Sequence, residues 1–279
     1  MVKKLIKYDF SSYFRLLLPV QLIILGFALL NRTIQFFEPV RSANPEGFMK
    51  TFGTVYNGFF VSTLVLYIIS IFVCLLMTVI VGIVRFYQGM YTNEGYLSHT
   101  LPVTPSQHIC AKLLTSVIFF FGGLLAIFVS FMIITAGNVN IEVFKAFFYL
   151  MNKLFQDYGL NGGFYILEFV LLMICMLIRT YLKLFFCISV GQLAKRKKVL
   201  LAFGVFFGIY VARQMLGTVF IIIGMVGYDL VAKILDWLTD NAVISNHIVV
   251  SVFILFEAIL ALVYFLFTKY IMSKKLNLT

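Results

Sequence analysis

Charge is scarce in this chain. Of 279 residues only 12% are Asp, Glu, Lys or Arg, about half the share carried by a soluble globular domain. A soluble fold of this length could not clothe its surface with so few, so that class is excluded. Acidic residues are the rarer sign, 11 against 22 basic, for a net charge of +11. Cysteine is limited to Cys74, Cys110, Cys175 and Cys187, with no CxxC and no pattern of a disulfide framework, so each reads as a small buried apolar residue. The three histidines, His99, His108 and His247, share no helical face at ligand spacing, which argues against a metal site. No GxxxxGK[ST] run is present, so the chain does not hold ATP through a P-loop, and no HExxH or GxSxG marks a hydrolase. No nucleophile–base pair suggests an enzyme, and no cofactor is expected on this chain. A repeat between the two halves is not visible either.

What the chain has instead is apolar length. Hydrophobic residues make up 62% of it, at a mean hydropathy of +1.03. Six stretches approach or exceed the roughly 20 residues that cross a bilayer: 16–30, 59–84, 111–136, 164–193, 199–226 and 248–270. The first is the shortest and contains Pro19, which a transmembrane helix tolerates better than a soluble one does. No small-x-small cleavage pattern follows it, so it reads as a retained span rather than a signal peptide. The expected fold class is an all-α membrane protein of six spans in one transmembrane domain.

An even number of spans puts both termini on one side, and the basic residues say which. With the N-terminus inside, 13 of the 22 basic residues flank the inner ends, among them Lys3, Lys4, Lys7 and the run Lys195 to Lys198, while six lie outside. Most of the acids fall outside. The positive-inside rule therefore places both termini in the cytoplasm and the protein in the cytoplasmic membrane. The excess of +11 sets topology and calls for no nucleic-acid partner.

Residues 2–15 read as an amphipathic helix in the interface plane. Val2, Ile6, Phe10 and Tyr13 form one stripe and Lys4, Lys7, Ser11 and Arg15 the other, the second facing anionic lipid headgroups; an ordinary basic flank is the plainer alternative. On the outer side, Tyr228 to Asn241 reads as a second amphipathic helix. Leu230, Ile234, Trp237 and Leu238 face one way, and Asp229, Lys233, Asp236 and Asp240 the other. Gly204 and Gly208 in span five form a small-xxx-small pair, suited to close helix packing or to a dimer seam.

The loop over 85–110, between spans two and three, is unusually low in charge for a cytoplasmic loop. Asn93-Glu94-Gly95 is a turn signal. Thr104-Pro105-Ser106-Gln107 is a helix start, with Thr at the N-cap, Pro at the first helical position and Gln placed to close a capping box. Such a loop either packs on the inner ends of its own spans or is taken up by a cytoplasmic partner.

The run Gly95-Tyr-Leu-x-x-Thr-Leu-Pro-Val-x-x-x-Gln107, followed by Lys112 and a span, resembles the permeases of Gram-positive bacterial ABC-2 type transporters. The layout agrees along the whole chain, the residues in detail only over this run. The resemblance implies a coupling helix in this loop that docks on a separate nucleotide-binding subunit, with ATP and magnesium held there. The docking residues would be Asn93, Glu94, Gly95, Tyr96, Leu97, Ser98, His99, Thr100 and Leu101. It also implies a dimer, with a second copy or a related permease, and a non-catalytic role in export of a peptide, lipid or drug-like substrate. An ion-gradient-driven transporter or channel-like protein is the alternative.

Four charged residues stand well inside spans, away from their ends: Arg179 and Lys183, four apart and so on one helical face, Arg213 near the middle of span five and Glu257 near mid-depth in span six. Such residues usually face the bundle interior and pair. Glu257 is expected to pair with Arg213 or Arg179, and Lys183 to snorkel to the inner surface. The group serves either as a structural ion pair, as a lining for an anionic or amphipathic substrate, or as a contact to lipid headgroups. Glu168, 11 residues from Arg179, is too far along the helix to join it.

Overall fold

The computed structural model describes residues 2–36, 48–92, 94–95, 103–136 and 138–274. They form eight helices, α4 and α7 shorter than the rest: α1 Val2–Phe36, α2 Phe48–Tyr91, α3 Pro105–Ile134, α4 Asn138–Tyr158, α5 Leu160–Gly191, α6 Lys198–Val226, α7 Tyr228–Asp240 and α8 Ala242–Lys274. No strand occurs among the described residues. Six of the helices, α1, α2, α3, α5, α6 and α8, are long and apolar enough to cross a membrane. In hydrocarbon each helix satisfies its own backbone, which makes this the natural outcome for such a sequence.

The six spans fall where the apolar runs place them, but the helices outrun those bounds. Residues 2–15 are helical as expected and continue through Pro19 to Phe36 without a break. At about 1.5 Å per residue α1 is ~52 Å long, well beyond a hydrocarbon core of about 30 Å. The same holds for α2, whose 44 residues carry helix to Tyr91, past Arg85 and into the expected loop. At the other side of that loop, α3 begins at Pro105 as the capping signal requires. The Thr104 N–H donates to Gln107 Oε1 at 3.1 Å, one half of the capping box.

Two of the short helices lie between spans. The amphipathic α7 was legible in the sequence. The 21-residue α4 was not among the expected elements, although Phe144, Phe148, Met151 and Phe155 recur in it at helical spacing. Gly159, at φ 55°, makes the sharp turn from α4 into α5, a conformation that a side chain would strain.

The chain divides into two compact units, Met1–Arg85 with Leu114–Asn152, and Phe86–Leu113 with Lys153–Thr279. In the first unit α1 and α3 run parallel with α2 antiparallel to both, as the contacts along each seam show. Near one end Asn31, fully buried, donates to Thr63 O at 3.3 Å and accepts from Thr63 Oγ1 at 3.0 Å. Further along, Tyr67 shares a hydrogen bond of 3.0 Å with Ser130. Toward the other end Tyr13 reaches Ser116 at 2.8 Å and stacks on Phe119. Polar links of this kind hold helices together in lipid, where burying apolar surface between them provides no driving force, and contribute on the order of 1 kcal/mol each. Phe10 and Tyr13, two members of the apolar stripe read over residues 2–15, thus pack on α3.

The second unit is built on α5 and α8. Their contacts keep a nearly constant offset: Tyr165 with Val243, Glu168 with His247, Arg179 with Glu257, Phe186 with Tyr264. The two helices therefore run parallel, as spans four and six of an alternating bundle must. Helix α6 packs beside α5 through the tight link 192–197, where Gly191 admits Ala202 and the Lys198 carbonyl so closely that a Cβ would lie 2.8 Å from each. None of the residues of α6 is buried.

Candidate functional site: charges between the membrane helices

Three layers follow one another along the α5–α8 seam. The outermost, by the topology read from the sequence, is polar: His247 Nδ1 lies 2.8 Å from Glu168 Oε1, Tyr165 stacks on the imidazole with ring centres 4.4 Å apart, and the Tyr165 hydroxyl donates to the Val243 carbonyl at 3.2 Å. Glu168 Oε2 is buried without a hydrogen-bond partner among the described residues. The innermost layer is aromatic, with Phe186 against Tyr264 and Phe267. Between them stands the charge cluster.

Glu257 is its centre, with a side chain only 1% exposed. The Arg179 guanidinium grips it as a fork, Nε to Oε2 and Nη2 to Oε1 at 3.4 Å. Arg213 approaches the same carboxylate from α6, with Nη2 3.7 Å from Oε1, while 56% of its side chain stays exposed. Both cations named as partners for Glu257 therefore reach it, and Arg179 holds the closer, two-pronged position. Lys183, one turn beyond Arg179, lies over the Phe206 ring of α6 at 4.6 Å from its centre, a cation–π contact.

The second expected site is the loop between α2 and α3. Asn93, Tyr96, Leu97, Ser98, His99, Thr100 and Leu101 lie outside the described residues. Of the remaining two, Glu94 is exposed and Gly95 is buried. The Gly95 N–H donates to the Thr92 carbonyl at 2.8 Å, consistent with the turn read at Asn93-Glu94-Gly95, and a Cβ on Gly95 would sit 2.6 Å from the Met90 backbone. The loop's base is firmly built. Phe86 stacks on Phe185 of α5 with centres 3.9 Å apart and planes 9° from parallel, and the Tyr91 hydroxyl donates to Ser189 Oγ at 2.6 Å. Phe86, Met90, Ile109, Tyr181 and Phe185 are all buried. Lys112 folds across α2 at Gly89, its Nζ 2.6 Å from where a Cβ would stand.

No protein-family model matches the chain, no curated protein matches it, and no solved structure matches it. Its own geometry is what bears on function.

Sequence reasoning missed the Glu168–His247 pair. The residues are 79 apart, and only the parallel register of α5 and α8 brings them together. An acid and a histidine near the starts of two apolar runs were the available signal. Among the cysteines, Cys74 and Cys187 are buried as expected, whereas Cys110 is exposed, because it lies on the free side of the first turns of α3. Gly204 and Gly208 face open space, so neither serves close packing among the described residues.

Proposed function

We propose that the chain is the permease subunit of an ATP-binding cassette exporter in the cytoplasmic membrane, with both termini in the cytoplasm. A separate subunit binds ATP and magnesium and docks on the loop Asn93 to Leu101, and a second permease, a copy or a relative, completes the translocation path. The observation that carries this reading is the sequence of the Gly95–Gln107 run, flanked by the packed residues Phe86, Met90 and Ile109. A loop that receives force needs a rigid foundation, and Phe86 and Tyr91, just before this one, fasten the end of α2 to α5. ATP binding on the partner would move the loop, and the movement would pass into α2, α3 and α5. The cavity between two permeases would then alternate its access. This chain performs no chemistry.

The test is co-purification of an ATPase subunit from native membranes, and its loss when Tyr96 and Leu97 are both replaced by Asp. Retention of the ATPase by that variant would refute docking at this loop.

A second reading, transport driven by an ion gradient, draws on the two charged layers along α5. Glu168 with His247 and Arg179 with Glu257 lie about 16 Å apart along the helix, and chains of such groups carry protons in transporters. Reconstituted alone, a chain of that kind would accumulate solute under a proton gradient without ATP.

A further inference from the structure

Two cations meet one carboxylate in the cluster, and a third, Lys183, stands on the same face of α5 one turn from Arg179. Arg179 occupies both oxygens of Glu257. Arg213 has only the 3.7 Å approach to Oε1, without a hydrogen bond, and most of its donors are uncommitted. Lys183 has an aromatic face and no acid. Among the described residues no other carboxylate pairs with either, so two positive charges remain uncompensated at membrane depth. An isolated charge there costs about 2.5–3.5 kcal/mol even on insertion scales, and such residues are accordingly found paired or facing water. Here Arg213 shares its only acid with Arg179, and most of its side chain is exposed.

The surroundings of Arg213 narrow the class of partner. On its face of α6, at helical spacing, stand Tyr210 and Leu216, both exposed, and Gly217, with nothing within 4 Å of a would-be Cβ. A guanidinium set in an apolar wall, with room beside it, fits a molecule that is anionic at one end and apolar along its length. A second copy of the chain meets the same face poorly, since it would bring another Arg213.

We propose that Arg213 anchors a binding site for the carboxylate or phosphate of an anionic amphiphile, with Lys183 on the neighbouring helix adding positive charge and Glu257 as the internal counter-ion that holds Arg213 when the site is empty. An arriving anion would take over the free guanidinium donors, and a planar fork suits either group. The site stands independently of the exporter reading, and supplies it with a cargo class if both hold.

The test uses the full chain in phosphatidylcholine nanodiscs, without an ATPase. A reporter is placed by Tyr210→Trp in a Trp237→Phe background, and its fluorescence is quenched by 9,10-dibromostearate or by the methyl ester of the same acid. Quenching by the acid is expected at about tenfold lower bilayer concentration than by the ester, the worth of one charge-assisted hydrogen bond. Arg213→Gln should abolish that preference and Lys183→Gln weaken it, whereas Arg213→Lys, which keeps the charge, should retain most of it. The Arg179–Glu257 pair is untouched in all three, and equal helicity by circular dichroism verifies their fold. Inorganic phosphate that displaces the acid would show that the anion alone is recognised; failure to displace it would show that the apolar chain is required. Equal quenching by acid and ester, or a preference that survives Arg213→Gln, would overturn the proposal. Because no ATPase enters the assay, a negative result here leaves the exporter reading standing, and loss of the exporter reading leaves this site standing.

Discussion

Glu257 and Arg179 were each conspicuous in the sequence as charges within apolar runs, and the requirement that such charges pair made Glu257 with Arg179 or Arg213 legible before any coordinates. What the sequence does not state is the division of labour, because a fork grip depends on the register of α5 against α8. That register makes Arg179 the structural partner and leaves Arg213 half in the open. Removing one member of a buried pair strands the other, at a cost of about 3–5 kcal/mol, whereas replacing both by apolar residues is often neutral or better. Arg179→Leu and Glu257→Leu are therefore each expected to lower the thermal midpoint markedly in detergent, and the double variant to recover most of the loss. Arg213→Leu should be neutral or stabilising, since it gives up one long ion pair while removing an incompletely compensated charge from membrane depth. A double variant no more stable than the singles would show that the cluster serves something other than helix packing.

At the scale of elements, the sequence showed spans because a membrane helix needs an unbroken apolar run, and it showed the start of α3 because Thr104, Pro105 and Gln107 form a local signal. It hid α4, whose Glu142, Lys145, Lys153 and Asp157 interrupt the apolar run without breaking the helical period. It also hid the fastening of the α2–α3 loop to α5, which depends on residues almost 100 apart. Phe86→Ala removes the stacked ring and should cost about 3–5 kcal/mol, as for other buried aromatics, while Tyr91→Phe, losing one hydrogen bond, should cost about 1 kcal/mol. Denaturant titration in micelles would separate the two. Two glycines offer a matched comparison. Gly191→Ala drives a Cβ into the Lys198 carbonyl and Ala202, an overpacking of about 1–3 kcal/mol. Gly204→Ala meets open space and should be neutral or stabilising, by up to about 1 kcal/mol from helix propensity. If Gly204 lies in a dimer seam, Gly204→Leu should shift the chain toward monomer in cross-linking without lowering its thermal midpoint.

For the whole molecule, six apolar helices describe a multi-pass membrane protein; composition alone pointed to a membrane, and the order of the residues gave the six runs. The parallel register of α5 and α8 agrees with spans four and six crossing in the same direction. The proposed function rests on fewer residues: a 13-residue run and the packed residues that flank it. The most direct measurement is affinity isolation of the chain from the membranes of its native host, followed by an assay for ATP hydrolysis and identification of what accompanies it. A P-loop ATPase should co-purify in stoichiometric amount and be lost on combined replacement of Tyr96 and Leu97 by Asp. A chain that emerges alone, and moves solute in liposomes on an ion gradient without ATP, would contradict the exporter reading.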